Sequence, residues 1–285
     1  MSAGQLRTIK KRIRSVENTQ KITRAMELVS AAKLKRFQNL LEKAKPFSDE
    51  LEKLAGTLSR AGGDAYRHPF FTPREEARSA YVVITSDTGL CGTYNAELVQ
   101  RALKVLVQTA PVPIVFGIGK RGIRALAQAG FDCERKFQDL KVADLENTIR
   151  DLGQILADGF LNNRFDAVRF VHGSFRHGGR PRPEITQILP CAAPDEGPDI
   201  RYIFEPSRRE VFDSLAPLFL ASRVRAVLLE AFVAEQMERM NAMHQATKNA
   251  REMIDALVLL RNKMRQAIIT KEIIEIVSGS KALEG

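Results

Sequence analysis

The sequence predicts an α/β protein whose two ends form one long antiparallel coiled coil and whose middle is a separate open α/β domain. Three observations predict it. No glycine occurs between Gly4 and Gly56 or between Gly197 and Gly279, while 15 of the 18 glycines lie from Gly56 to Gly197. An apolar 3-4 repeat runs cleanly from Met240 to Ile268, and short β-branched runs alternate with helical stretches between residues 75 and 195. Glycine costs roughly 1 kcal/mol per helical site relative to alanine, so its absence permits very long helices. At about 1.5 Å per residue, roughly 50 to 70 residues would reach some 75–105 Å. The expected division is 1–60 for the first helix, 75–195 for the middle domain and 207–285 for the last helix.

Within the first helix, Leu6, Ile9, Ile13 and Val16 follow 3-4 spacing. The apolar stripe then shifts to Ile22, Met26 and Val29 and returns with Leu34, Phe37 and Leu41. Such shifts locally unwind or overwind a supercoil. Pro46 removes one helical hydrogen bond and predicts a kink. Gly62-Gly63 and the segment from Arg67 to Pro73 end the helix. Residues 1–45 hold 12 Lys/Arg against 3 Asp/Glu, nearly all of the chain's net charge of +10. A basic helix suits nucleic acid, an anionic membrane, an acidic protein surface, or simply solvent.

The last helix opens with Ser207 as N-cap and Glu210 completing a capping box. Pro217 predicts a break or kink. The seam then reads Met240, Met243, Thr247, Ala250, Ile254, Leu257, Arg261, Met264 and Ile268, alternating 3-4 spacing that marks a coiled coil. The Met residues read as packing. Arg261 either snorkels from the seam or faces a partner. Ile268, Ile269, Ile273, Ile274, Ile276 and Val277 surround the helix on every side, which predicts burial in another protein's socket.

In the middle, strands are expected at Ala80–Ser86, Val112–Phe116, Ala167–His172 and Ile185–Leu189. Helices are expected at Ala96–Thr109, Arg121–Ala129 and Asp144–Leu161. This alternation predicts an open, mostly parallel, Rossmann-like sheet. Gly117, Gly119 and Gly122 form GIGKRG, a formal dinucleotide fingerprint between a strand and a helix, with Asp139 at a possible distance for its acid. The bland reading is a set of tight turns. The loop SDTGLCGTYN, Ser86 to Asn95, lacks the GK[ST] of a P-loop. Cys91 within it is either a nucleophile or a small residue under a turn. Arg176, His177, Arg180 and Arg182 suggest a mobile basic hairpin tip between Gly173 and Pro183.

Chemistry is otherwise sparse. His68, His172, His177 and His244 are scattered, with no metal-type spacing. Cys91, Cys133 and Cys191 are odd in number and far apart, as in reduced thiols. No run of 18 apolar residues exists to span a membrane. No catalytic residue, cofactor or metal is expected.

Three strings together resemble the gamma subunit of F-type ATP synthases. The first is IKKRIRSVENTQKITRAMELVSAAKLK from Ile9 to Lys35, with Asn18, Thr19, Gln20, Lys21, Ile22, Thr23, Ala25 and Met26 in the family's NTQKIT-x-AM core. The second is the SDTGLCGTYN loop, with Asp87, Gly89, Leu90, Cys91, Gly92 and Asn95. The third runs from Glu235 and Gln236 through Arg239, Met240 and Met243 to Asn262–Gly279. The resemblance implies a noncatalytic bacterial rotor shaft coupling ion flow to ATP synthesis or hydrolysis. Its partners would be three alpha and three beta subunits, an epsilon subunit and the ring of c subunits. It would sit peripherally on the cytoplasmic face of the inner membrane and bind no nucleic acid. By position, Lys21, Met26, Arg239, Arg265, Gln266, Thr270 and Glu272 would face the alpha/beta ring. Ile268, Ile273, Ile274, Ile276 and Val277 would form the tip in its bearing. Thr93, Lys248 and Arg261 depart from common family residues. No paired-cysteine switch, as in chloroplast relatives, is visible around Cys191 to Phe204. The competing expectations are a nucleotide-dependent oxidoreductase using GIGKRG and a basic coiled-coil adaptor for nucleic acid.

Overall fold

A computed structural model describes residues 3–60, 68–75, 77–175, 179–191 and 205–283. Gly62-Gly63, Arg67, Arg176, His177 and residues 192–204 therefore lie outside the described residues. By compactness the chain forms two units, Met1–Ser30 with Met240–Gly285, and Ala31–Arg239. The elements in order are α1 (Ala3–Arg60), β1 (Ser79–Ile84), α2 (Tyr94–Gln108), β2 (Ile114–Ile118), α3 (Lys120–Gln128), β3 (Arg135–Phe137), α4 (Leu145–Leu161), β4 (Ala167–Ser174), β5 (Arg182–Leu189) and α5 (Arg208–Leu283).

The first unit is an antiparallel helix pair. Ile9 and Ile13 pack with Met264, and Leu6, Leu257 and Val258 join them. Further along, Thr247 Oγ1 donates to Thr23 Oγ1 at 2.9 Å. All nine seam positions from Met240 to Ile268 are buried or half-buried. Arg261 is half-buried, its guanidinium donating to Asn262 Oδ1 at 3.2 and 3.3 Å.

The expected phase shift in α1 does not occur. Ile22 and Val29 are 60% and 55% exposed. Instead Gln20, Thr23, Glu27 and Ser30 continue the 3-4 spacing begun by Leu6, Ile9, Ile13 and Val16, and all are buried or half-buried. The heptad is unbroken, but its middle is polar. Apolar residues on the outer face had drawn the periodicity away from the true seam. Pro46 and Pro217 both lie inside continuous helices, so the break expected at Pro217 is absent. Ser207 does cap α5: its Oγ accepts from the Glu210 N–H at 3.2 Å and donates to Glu210 Oε1 at 3.0 Å.

The second unit contains a five-stranded sheet of order β3-β2-β1-β4-β5. Strands β1 to β4 pair in parallel, and β5 runs antiparallel on β4. β1 is buried along its whole length, and after Ser79 its side chains are largely apolar on both faces. On one face, Val82, Ile84, Phe116 and Phe170 pack with Leu152, Leu156 and Phe160 of α4 and with Phe219, Leu220 and Leu228 of α5. α1 adds Phe37, Leu51 and Ala55 to this layer, and Phe37 lies 5.2 Å from Phe232 between ring centroids. On the other face, Tyr81, Val83 and Val115 pack with Leu98, Ala102 and Leu106 of α2 and with Ile123 and Leu126 of α3. Helices thus cover both faces of a doubly wound sheet, as the alternation predicts. β3 was not anticipated, because its three residues, Arg-Lys-Phe, carry no apolar pattern.

Candidate partner-contact surfaces and the loop at the sheet edge

The Ser86–Asn95 loop leaves the carboxyl end of β1 and closes on itself. Ser86 N–H donates to Asn95 Oδ1 at 3.0 Å, and Asn95 Nδ2 donates to Ser86 Oγ at 2.7 Å and Cys91 Sγ at 3.1 Å. Cys91 is only 2% exposed, so it fills the space under the turn and is closed to a substrate. Leu90 and Gly92 both take left-handed backbone, with φ of 66° and 60°. Leu90 pays that strain while exposing its side chain to solvent. Asp87 Oδ1 accepts from the Lys120 N–H at 3.1 Å, tying the loop to the start of α3.

Arg239 on α5 anchors the loop from the other side. Its Nη2 donates to Thr88 O and Thr88 Oγ1 at 3.1 Å each, its Nε donates to Gly89 O at 3.3 Å, and its Nη1 meets Glu235 Oε1 at 2.6 Å. Arg239 is 6% exposed. The expectation that it faces a partner directly meets a different geometry: it is spent inside its own chain, holding the loop. Burial pushes the Glu235 carboxyl up, against the opposing pull of Arg239. Arg180 makes a parallel brace, pairing with Glu238 at 3.1 Å and Glu97 at 3.1 Å and donating to Thr93 Oγ1. The basic tip expected between Gly173 and Pro183 is therefore fixed at Arg180. Tyr94 Oη donates to Ala231 O at 3.1 Å, a further tie between α2 and α5.

GIGKRG serves close packing. The helix N-terminus that would receive a pyrophosphate is filled by the chain itself: Lys120 N–H is taken by Asp87, Arg121 N–H by Ser86 O at 3.1 Å, and Gly122 N–H by Thr85 Oγ1 at 2.8 Å. A Cβ on Gly119, whose φ is +89°, would lie 2.1 Å from Thr85 O, and one on Gly122 would lie 2.5 Å from the Thr85 side chain. Asp139 is committed to Lys120 Nζ at 2.7 Å. The glycines thus let α3 approach β1, and the oxidoreductase reading loses its phosphate site.

In the helix-pair unit, Gln20, Lys21, Arg24, Glu27, His244, Thr247, Lys248 and Arg251 line an open basic groove. Glu27 Oε1 accepts from Arg24 at 2.9 Å and lies 3.1 Å from His244 Nδ1. The hydrogen bond from His244 holds the Glu27 carboxyl below the usual range, with Arg24 assisting. Lys21 is exposed and Met26 half-buried, while Arg265, Gln266, Thr270 and Glu272 are all exposed on the last turns of α5. Ile269, Ile273, Ile274, Ile276 and Val277 are exposed too, Ile276 at 72%, whereas Ile268 is half-buried in the seam.

Two of the histidines, His68 and His172, are structural. His68 Nδ1 accepts from the Phe70 N–H at 3.1 Å, and His172 Nε2 lies 2.9 Å from Thr186 Oγ1. Among the described residues no group of three His, Cys, Asp or Glu could hold a metal, and no helix is long and apolar enough to cross a membrane. The sequence pattern did not show the Arg180–Glu97–Glu238 brace or the hold of Arg239 on Thr88 and Gly89, since both join residues far apart in the chain.

The chain combines a doubly wound domain with closed loops and a helix pair that ends in exposed isoleucines. Comparison makes this specific. The ATP synthase family model matches residues 5–283. The ATP synthase gamma chain of Desulforamulus reducens is 38% identical over 98% of this chain and 99% of its own length. That of Moorella thermoacetica is 38% identical over 99% of this chain and 100% of its own. Among solved structures, a chain of the Euglena gracilis mitochondrial ATP synthase (OSCP/F1/c-ring, rotational state 3) superposes with a TM-score of 0.67 at 16% identity, covering 99% of this chain and 95% of that one. A chain of the Tetrahymena thermophila central stalk and c-ring gives 0.61 at 20% identity, covering 79% and 99%. The chain belongs to the ATP synthase gamma chain family. By that membership it is a noncatalytic subunit.

Proposed function

We propose that this chain turns as the rotor shaft of an F-type ATP synthase, coupling ion flow to the affinities of catalytic sites in other subunits. The observation that carries the reading is the exposed apolar end of α5, Ile269 to Val277, on a helix whose seam is otherwise buried. Apolar character on every side of a helix calls for burial, and no described residue of this chain covers it. A bearing formed by three alpha and three beta subunits would supply it, with Ile268, Ile273, Ile274, Ile276 and Val277 inside. Lys21, Met26, Arg265, Gln266, Thr270 and Glu272 would meet the ring along the helix pair, and Arg239 would act on it indirectly by fixing Thr88 and Gly89. The α/β domain, with the Ser86–Asn95 loop, would meet epsilon and the c-ring. The site of action would be the cytoplasmic face of a bacterial membrane, held peripherally.

An asymmetric shaft biases otherwise equal sites toward different conformations, and rotation moves that bias from one to the next. The test is an assembled complex carrying a chain truncated after Glu272. Coupled ATP synthesis should fall by about tenfold or more, each tenfold being about 1.4 kcal/mol, while the α/β domain keeps its own unfolding transition. Unchanged synthesis would count against the bearing.

A further inference from the structure

A cavity of about 440 Å³ lies over the carboxyl ends of β1, β2 and β3 in the α/β unit. Ligands of open α/β sheets bind at this edge, and sites of small organic molecules span roughly 300–1,000 Å³. Its walls are apolar, from Phe37, Ile118, Leu140, Val142 and Phe232. One buried polar group faces it without a partner: Gln236 is 5% exposed, lines the cavity, and its Oε1 accepts no hydrogen bond. The amide cannot be reversed to cure this, because its Nε2 already donates to Glu235 Oε1 at 3.1 Å and a flipped oxygen would face that carboxylate. Leaving a buried acceptor unpaired is unfavourable, so the site asks for a donor.

The rim asks for an anion. Lys33, Arg36 and Lys141 line it and hold no ion pair among the described residues. The acids nearby are committed: Asp87 to the Lys120 N–H, Asp139 to Lys120 Nζ, and Glu235 to Arg239. We propose that this cavity binds an organic phosphate of nucleoside monophosphate size, its phosphate held by Lys33, Arg36 and Lys141 and a ring amino or hydroxyl group donating to Gln236 Oε1. The phosphate sits at the α1 side of the rim, since the α3 N-terminus is filled. The ring lies against the Phe37, Phe232, Leu140 and Val142 wall. The site is independent of the shaft reading, as it uses only the α/β unit.

Equilibrium dialysis of the full chain against labelled AMP tests it, with adenosine and inorganic phosphate as separate competitors. Saturable binding of one AMP per chain is expected. Gln236→Leu and the double change Lys33→Ala/Arg36→Ala should each weaken it tenfold or more, and each competitor should displace AMP at least tenfold less well than AMP itself. No saturable binding at millimolar AMP overturns the proposal, as does binding that neither variant alters. Displacement by inorganic phosphate as effective as by AMP overturns it too, since that marks a charged surface only. If Gln236→Leu does not fold, the exposed Lys33 and Arg36 carry the test, with an unchanged thermal transition as control.

Discussion

Replacing Arg239 by alanine would leave the Glu235 carboxylate buried without its cation and the Thr88 and Gly89 carbonyls without their donor. Breaking a buried pair by removing one partner costs about 3–5 kcal/mol. Denaturant unfolding of the Arg239→Ala chain should show a loss of that order, and Arg239→Lys should recover only part of it, because lysine cannot reach four acceptors as a planar fork does. Full recovery by lysine would mean that charge alone matters. At Glu27 the effect is on protons. Its folded carboxyl lies below its ordinary value, so its contribution to stability is present above about pH 4.5 and is lost as pH falls through the lowered value. Titrating Glu27 by carbon NMR in His244→Ala should show the carboxyl moving upward, since the hydrogen bond from His244 is the largest cause of the depression. An unmoved titration would assign the depression to Arg24 instead.

The polar layer in the helix pair behaves as an element. Thr23 Oγ1 donates to Gln20 O, and the one Thr247 hydroxyl proton is shared between Thr23 Oγ1 and Met243 O, so the two threonines are satisfied within the pair. Replacing both partners by apolar groups of the same shape is near neutral or stabilising, whereas removing one strands the other. Thr23→Val with Thr247→Val should therefore hold or raise the stability to unfolding, and the single change Thr23→Val should lower it by about 1 kcal/mol. Equal losses in single and double variants would contradict the account. Polarity also decided what was legible in the sequence. The α5 seam could be read because its positions are mostly apolar, whereas the α1 seam could not, since Gln20, Thr23, Glu27 and Ser30 occupy it while Ile22 and Val29 lie outside. The strands were legible wherever both faces are buried, as in β1, and β3 was not. The Ser207–Glu210 cap was readable because it is local in sequence. Contacts such as Arg180 to Glu238, or Arg239 to Thr88, needed the fold. GIGKRG was legible as a motif and misleading as a site, because its glycines answer to Thr85.

For the whole molecule, the α/β unit holds its loops closed by buried ties, while the end of α5 exposes isoleucines that no described residue covers. On the proposed reading, partners would bind at the tip and along the helix pair. The basic first helix, with 12 Lys/Arg in residues 1–45, would speed association with acidic walls and weaken as salt rises. Assembly rates with alpha and beta subunits should fall between low and physiological salt while the final stoichiometry stays the same; rates indifferent to salt would assign that charge to solvent. The most direct measurement fixes an assembled complex by its alpha and beta subunits and attaches a bead to the α/β domain through a single engineered surface cysteine. With ATP, the account predicts rotation of the bead in one direction, in steps matching three catalytic sites. A complex that hydrolyses ATP while this chain stands still would contradict it.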